Sequence, residues 1–223
     1  MPDRVLDCRG CIVAPGFIDL QINGAFGVDF SCDITDRESG ENVLRKIGQG
    51  ILAHGVTAYC PTVVTSPPSV YSSVLPNIPR APGGLHGAAV LGVHVEGPFI
   101  SLQKKGAHPE EHITSPTNGI RSLDEVYGDG LENVALITLA PELEWALEVM
   151  FLGSRLPSLQ VIEACVRRGI VVSVGHTMST ISQVFICRHL LEPAHVSQSV
   201  SFFITEATFT SNFNYHHTAQ AYV

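Results

Sequence analysis

Long apolar runs are missing from this sequence of 223 residues. None approaches the roughly 18 residues of a candidate membrane-spanning helix, and the first residues lack the basic-then-apolar layout of a signal peptide. Positive charge is also scarce, because 13 Lys and Arg stand against 21 Asp and Glu, a formal net charge of −8. Nucleic acids and anionic membranes repel such a protein. The composition therefore predicts a soluble, cytoplasmic protein whose partners include neither nucleic acid nor membrane.

The six cysteines do not imply a disulfide framework. They are scattered, and Cys8 and Cys11 form a single C-x-x-C pair without the second pair of a typical zinc site. Reduced thiols are the favoured interpretation, with a zinc or redox role for Cys8 and Cys11 as the alternative. The chain is 45% hydrophobic and 15% charged, which predicts a sizeable folded core.

Continuously apolar strand patterns alternate with helical patterns about five times. The predicted strands are 17–22, 56–60, 90–95, 133–139 and 170–174, and the predicted helices are 39–54, 69–75, 123–127, 142–150 and 161–168. Strands of this kind are typical of a parallel sheet with helices outside it. Because a complete (β/α)8 barrel needs about 250 residues, the sequence predicts an α/β fold that is a partial TIM-like barrel of about five units.

Polar residues stand where several predicted strands end. Glu96 follows one strand, His176 follows another, and Gln21 and Asn23 end the first. The carboxyl ends of strands in α/β proteins are where ligands and metals are held, and a Glu with a His suits a divalent metal. The alternatives are that Glu96 faces solvent and that His176 is an ordinary histidine of the core or rim.

Several short motifs occur in an order that is specific to one family. They are APGFIDLQING at 14–24, GVT at 55–57, CPT at 60–62, HVEGPF at 94–99, KGAH at 105–108, LAPE at 139–142 and VGH at 174–176. From about residue 8 to 178 the chain resembles the N-acetylglucosamine-6-phosphate deacetylases of the amidohydrolase superfamily. Gln21 and Asn23 stand where other amidohydrolases carry His-x-His, a replacement that goes with a single-metal site in this family.

The resemblance implies hydrolysis of the N-acetyl group of an amino-sugar phosphate, with one divalent metal ion of the Zn or Fe/Mn/Co type. It implies that Glu96 and His176 bind the metal, and that Ala107 and His108 contact the substrate. In the complete family form the expected assembly is a homodimer. Lys104 and Lys105 are candidates for a phosphate contact, although exposed loop lysines are usually only solvated.

Two parts of the family pattern are missing from this sequence. Neither the catalytic Asp of a later barrel strand nor the Thr-His-x-Phe-Asn-like motif with the next metal-binding His is found, so no catalytic residue is identified. Residues 144–160 resemble an insertion, and residues 179–223 contain only three charged residues. These features predict a truncated or alternatively spliced form, with an uncovered apolar edge on its last strand.

The predicted organisation has three parts. Residues 1–14 end a small β-sandwich segment, 15–178 form an incomplete metal-dependent amidohydrolase barrel, and 179–223 are a divergent tail. Two functions remain open. The first is deacetylation, with the activity of this chain itself uncertain, and the second is that of a non-catalytic fragment that binds sugar phosphate or pairs with the full-length enzyme. A dihydroorotase-like enzyme fits poorly, because Gln21 and Asn23 replace its His pair.

Overall fold

A curled, parallel sheet is the centre of the fold, and it confirms the predicted partial TIM-like barrel. The computed structural model describes residues 7–142, 157–180 and 203–204. Six strands follow one another across the sheet, each parallel to its neighbour. In spatial order they are β1 (Phe17–Ile22), β4 (Val56–Val64), β6 (Val93–Glu96), β7 (Val134–Leu139), β8 (Val171–Val174) and β9 (Phe203–Ile204). Their carboxyl ends therefore meet at one rim.

The part of the chain that the structure describes also has three shorter strands. β5 (Ala89–Val90) is parallel to the first part of β4, and β2 (Gly24–Ala25) forms a small antiparallel pair with β3 (Val28–Asp29). β9 lies in the segment that sequence reasoning treats as a divergent tail, and it pairs with Ser173 and Val174 of β8. The prediction that the edge of β8 is uncovered is therefore wrong at these two residues.

Among the described residues, four α-helices connect the strands: α1 (Arg37–Leu52), α2 (Pro68–Val74), α3 (Ile120–Tyr127) and α4 (Pro157–Arg167). α1 begins with a capping box, because the Asp36 carboxylate accepts the Ser39 N–H at 2.8 Å and the Ser39 hydroxyl accepts the Asp36 N–H at 3.0 Å. Its apolar stripe, with Val43, Ile47 and Ile51 buried, packs toward β4. α4 begins at Pro157, four residues before the predicted start at 161, and a proline is tolerated in the first turn of a helix.

Two strand boundaries differ from the sequence prediction. β4 continues through Pro61, which lies between its pairing with β5 at Ala58 and Tyr59 and its pairing with β6 from Thr62. A missing N–H is tolerated where the neighbouring strand changes. The predicted strand 90–95 is split, because Gly92 has a φ of +123° and separates β5 from β6.

Residues 7–16 form no strand in the structure, although the sequence predicts a strand ending at Ala14. A strand needs a hydrogen-bonded neighbouring strand, and this segment belongs to no β-ladder with the other described residues. The predicted helix 142–150 and the proposed insertion 144–160 lie largely outside the described residues. Among the described helices, none has the length and apolar character needed to cross a bilayer.

Alternation along β6 separates the core from the site. Val93 and Val95 are fully buried in the hydrophobic cluster beneath the helices, so His94 and Glu96 point to the opposite face. Behind the end of β6, Tyr127 packs edge-on against Tyr71 and Phe99, with ring centroids 5.0 and 5.9 Å away. Both tyrosine hydroxyls donate to the Gly97 carbonyl, at 3.2 Å from Tyr71 and 2.9 Å from Tyr127, which fixes the turn that follows Glu96.

Candidate metal centre

Glu96 is buried at the end of β6 with a relative exposure of 5%, so the solvent-facing alternative is wrong. Its Oε1 accepts a hydrogen bond from Gln21 Nε2 at 2.8 Å, and its backbone carbonyl accepts one from the Thr65 hydroxyl at 3.0 Å. Gly97, the next residue, has a φ of +82° and lies against the Thr65 hydroxyl, so a Cβ would collide with it. The carboxylate is therefore fixed on both sides of the turn.

His176 follows β8 and approaches Glu96 from across the sheet. Its Nε2 is 3.1 Å from Glu96 Oε1, and its Nδ1 is 2.8 Å from the Lys104 carbonyl. Because a carbonyl oxygen can only accept, Nδ1 carries a hydrogen and donates it. The other ring nitrogen, Nε2, is then available as a ligand atom, an arrangement that metal-binding histidines commonly have.

His108 completes a compact cluster with Glu96 and His176, whose potential ligand atoms all lie within 4.8 Å of one another. Its Nε2 is 3.8 Å from Glu96 Oε2, and its ring meets the His176 ring edge-on at 4.6 Å. The backbone N–H of Thr65 donates to His108 Nδ1 at 3.3 Å. Neutral His108 therefore carries its hydrogen on Nε2, so it presents a donor to the site.

The charges in the cluster are set by its neighbours. Burial raises the pKa of Glu96, but the imidazoles of His108 and His176 outweigh it and hold this pKa well below its usual range. The hydrogen bond with Glu96 raises the pKa of His176. Beneath them, burial lowers the pKa of His94 to about 4, so that ring is neutral near pH 7. It bridges the Leu20 carbonyl at 3.1 Å and the Thr138 hydroxyl at 2.7 Å.

Of the two polar residues that end the first strand, the structure brings one to the cluster. Gln21 bonds to Glu96, whereas Asn23 is exposed and its carbonyl accepts the backbone N–H of Phe30 at 3.2 Å. The pairing of β1 with β4 is irregular between Asp19 and Ile22. β1 ends at Ile22, so Asn23 follows the last residue that pairs with β4.

The loop after β6 contributes mainly through its backbone. Ala107 is exposed beside His108, Lys104 offers its carbonyl to His176, and Lys105 lies 3.8 Å from the Glu110 carboxylate. Sequence reasoning placed His108 near substrate but did not anticipate its contact with the cluster. It also missed the supporting residues Thr65 and His94, because no local signal marks a residue whose partner is distant in sequence.

A TIM-like parallel sheet with a Glu and two His at its carboxyl rim defines the class of this protein, a barrel protein with a candidate metal centre. No family model matches the chain. Over 178 residues it is 51% identical to the N-acetylglucosamine-6-phosphate deacetylases of Bos taurus and of Homo sapiens. The N-acetylgalactosamine-6-phosphate deacetylase of Escherichia coli O157:H7 is 32% identical over 184 residues. The resemblance seen in the motifs is confirmed: this part of the chain is homologous to the N-acetylglucosamine-6-phosphate deacetylases.

Solved structures agree with this relationship. The N-acetylglucosamine-6-phosphate deacetylase from Pasteurella multocida superposes with a TM-score of 0.57 at 29% identity, covering 86% of this chain and 42% of that one. The Mycobacterium smegmatis enzyme, at 24% identity and a TM-score of 0.55, supports the fold alone. The alignments with the bovine and human relatives cover 79% of this chain and 40% of theirs. The chain thus spans about 40% of the length of these relatives.

Proposed function

We propose that this chain forms the metal-binding part of an N-acetylglucosamine-6-phosphate deacetylase site. The reaction of such a site is hydrolysis of the N-acetyl group of N-acetylglucosamine 6-phosphate, which gives acetate and glucosamine 6-phosphate. The observation that carries the proposal is the approach of His176 Nε2 to Glu96 Oε1 at 3.1 Å, with His176 Nδ1 directed at the Lys104 carbonyl. The hydrogen bond with Glu96 keeps a proton on His176 Nε2, between these two atoms. A divalent cation would take the place of that proton, with the Nε2 lone pair and the carboxylate as its ligands.

One divalent metal ion of the Zn or Fe/Mn/Co type fits these residues. Two ligand atoms of a tetrahedral zinc stand roughly 3.3 Å apart when each bond is about 2.0 Å, close to the spacing of Glu96 Oε1 and His176 Nε2. Gln21, in the position of a histidine in related proteins, donates to Glu96 rather than offering an imidazole. This supports a single-metal site in which Gln21 orients a ligand.

We assign His108 to the substrate rather than to the metal. Its Nδ1 is taken by the Thr65 N–H, so its Nε2–H is placed to donate to an oxygen of the acetyl group. To ligate a metal through Nε2, His108 would need a hydrogen on Nδ1, directed at the Thr65 N–H. Ala107 is exposed beside it and is assigned to the same substrate surface. We assign no phosphate contact to Lys104 or Lys105.

When bound, a divalent metal ion in such a site polarises the acetyl carbonyl and lowers the pKa of a bound water. Glu96 and His176 would hold it, and His108 would orient the carbonyl oxygen. The general base that takes the proton from water is not identified in this sequence, which also lacks the Thr-His-x-Phe-Asn-like motif. We therefore propose that residues 15–178 are an incomplete barrel and that 1–14 lie outside it, whereas the divergent segment 179–223 adds Phe203–Ile204 to its sheet. A cytoplasmic location, and a homodimer in the complete form, belong to the same proposal.

The first test compares the chain alone with a fusion that adds the carboxyl-terminal part of a relative. We expect the purified chain with Zn²⁺ to release no acetate from N-acetylglucosamine 6-phosphate, because no general base is in place. A fusion of residues 1–178 to the remaining carboxyl-terminal part of the Bos taurus relative should restore metal-dependent release, and Glu96→Ala in the fusion should abolish it.

Either arm of this assay can contradict the proposal. Turnover by the unfused chain that Glu96→Ala abolishes would show that the site is already complete. A folded, metal-loaded fusion that leaves N-acetylglucosamine 6-phosphate intact would show that the site serves another reaction. Chelation of the metal from an active fusion, followed by its return, controls for metal-independent hydrolysis.

The contribution of Gln21 is tested separately. Gln21→Ala removes the donor that orients Glu96, and we expect roughly tenfold weaker Zn²⁺ binding, at the low end for partners of metal ligands. Competition with a chromophoric chelator measures the dissociation constant. Gln49→Ala, at an exposed position on α1, is the matched control. Unchanged affinity in Gln21→Ala would mean that Glu96 is held without Gln21.

A second candidate function is a non-catalytic fragment that pairs with the full-length enzyme. It is favoured by the exposed apolar residues at and before β1: Ile12 (94%), Val13 (77%), Phe17 (68%) and Ile18 (61%). Among the described strands β1 pairs with β4 alone, so this edge is available to another strand. Co-purification with a full-length subunit supports this function, and a monodisperse single chain counts against it.

A further inference from the structure

We propose that Glu142 is a positioning residue for His176, an inference that rests on the proposed metal site. Glu142 lies shortly after β7, at the same rim as Glu96 and His176. It does not contact Glu96 in the cluster of potential ligands. Its carboxylate instead accepts hydrogen bonds from the three residues that follow His176. It thereby fixes the direction in which the His176 imidazole leaves the sheet.

Glu142 forms hydrogen bonds with each residue of the turn 177–179, which follows His176. Oε2 accepts from the Thr177 hydroxyl and, at 2.9 Å, from the Ser179 hydroxyl, while Oε1 accepts the backbone N–H of Met178. The Ser179 N–H in turn donates to the Thr177 hydroxyl at 2.9 Å. Thr177 and Ser179 are 2% and 8% exposed. One half-buried carboxylate therefore holds three consecutive residues by two hydroxyls and one amide.

The backbone at His176 needs such support. Its φ of +47° is in the left-handed region, which non-glycine residues adopt at a cost in free energy and keep only when their surroundings impose it. On one side, Ser101 N–H donates to the His176 carbonyl at 2.8 Å and His176 Nδ1 donates to the Lys104 carbonyl. On the other side, Glu142 holds the residues that follow.

In this arrangement Glu142 does not bind the metal itself but holds the residues next to the proposed metal ligand, His176. Gly175 N–H donates to the Leu139 carbonyl at 3.2 Å, so the end of β7 contacts the chain both before and after His176. Without the carboxylate, the 177–179 turn loses three hydrogen bonds at once, and the imidazole becomes free to leave the Lys104 carbonyl. Metal affinity depends on the tautomer and orientation of the imidazole. The loss of these hydrogen bonds should therefore change both the tautomer of His176 and the affinity for the metal.

The test uses the full chain and two readouts that do not require turnover. The first is the ¹⁵N chemical shifts of the His176 ring without metal, assigned by their loss in His176→Gln. The second is the dissociation constant for Zn²⁺. The variants are Glu142→Ala and Glu142→Gln, and the control is Glu132→Ala, an exposed glutamate just before β7.

At a pH high enough for the ring to be neutral, we expect the wild-type ring to show the single Nδ1–H tautomer and the Glu142→Ala ring to show a mixture. We also expect Zn²⁺ binding weakened by roughly 10- to 100-fold in Glu142→Ala, with a smaller loss in Glu142→Gln. Glu132→Ala should match the wild type. If Glu142→Ala fails to fold, as judged by circular dichroism, the ring shifts and Zn²⁺ affinity of Glu142→Gln test the proposal instead.

Wild-type ring shifts in Glu142→Ala or Glu142→Gln, together with a Zn²⁺ affinity within about twofold of the wild type, overturn the proposal. Loss of a residue that orients a metal ligand should change both readouts. A different result would show that the proposed metal site itself is wrong: Zn²⁺ affinity would then be unchanged in Glu96→Ala. In that case the ring shifts of His176 still report whether Glu142 positions it.

Discussion

Replacing Glu96 by alanine should remove specific metal binding from this chain. The carboxylate is 5% exposed, and its Oε1 is the atom that His176 Nε2 approaches. The negative charge held there by the low pKa of Glu96 is what attracts a divalent cation. Loss of a ligand should cost more than loss of a residue that orients one, so we expect Zn²⁺ affinity to fall by more than about 100-fold.

Titration with Co²⁺, followed by its visible absorption, and chelator competition with Zn²⁺ both measure this loss. Glu38→Ala, an exposed glutamate in the first turn of α1, controls for a change in overall charge. Glu96→Gln keeps the shape and removes the charge, so it should also bind weakly. A Glu96→Ala chain that still binds one equivalent of Zn²⁺ with wild-type affinity would place the metal elsewhere and contradict the proposed site.

Replacing Tyr127 by alanine should produce the largest loss of stability. The ring is fully buried between Tyr71 and Phe99, and its hydroxyl donates to the Gly97 carbonyl at 2.9 Å. Removing a buried aromatic side chain costs about 3–5 kcal/mol through lost burial and the cavity left behind. Because the cavity opens behind the Glu96–Gly97 turn, metal affinity should weaken as well.

Urea denaturation followed by circular dichroism gives the free energy of unfolding for this comparison. Tyr127→Phe keeps the ring and loses the hydrogen bond, so it should cost about 1 kcal/mol. Leu85→Ala, at a position 96% exposed, should change stability by less than about 0.5 kcal/mol. A Tyr127→Ala chain as stable as Leu85→Ala would mean that Tyr127 is not part of the folded core.

Strands and helices were predictable where one local pattern determines them. The apolar stripe of α1 and the continuous runs of β7 and β8 lie within a few residues of their predicted bounds. Pro61 and Gly92 were harder to place. A proline can continue a strand where the neighbouring strand changes, and a glycine can split an apolar run, but neither event is visible without the pairing partners.

Local patterns were enough to establish the α/β class, the deacetylase relationship and the positions of Glu96 and His176 at strand ends, because hydrophobic period, turn residues and short motifs can be read from the sequence. Tertiary structure decided which side chains meet. The pairing of β1 and β6 with β4 brings Gln21 to Glu96 and ends before Asn23, and the loop after β6 buries His108 against Glu96. It also joined Glu142 to the turn after His176, a contact between residues 35 positions apart. Such contacts depend on strand register and loop path, which are set by the packing of distant elements.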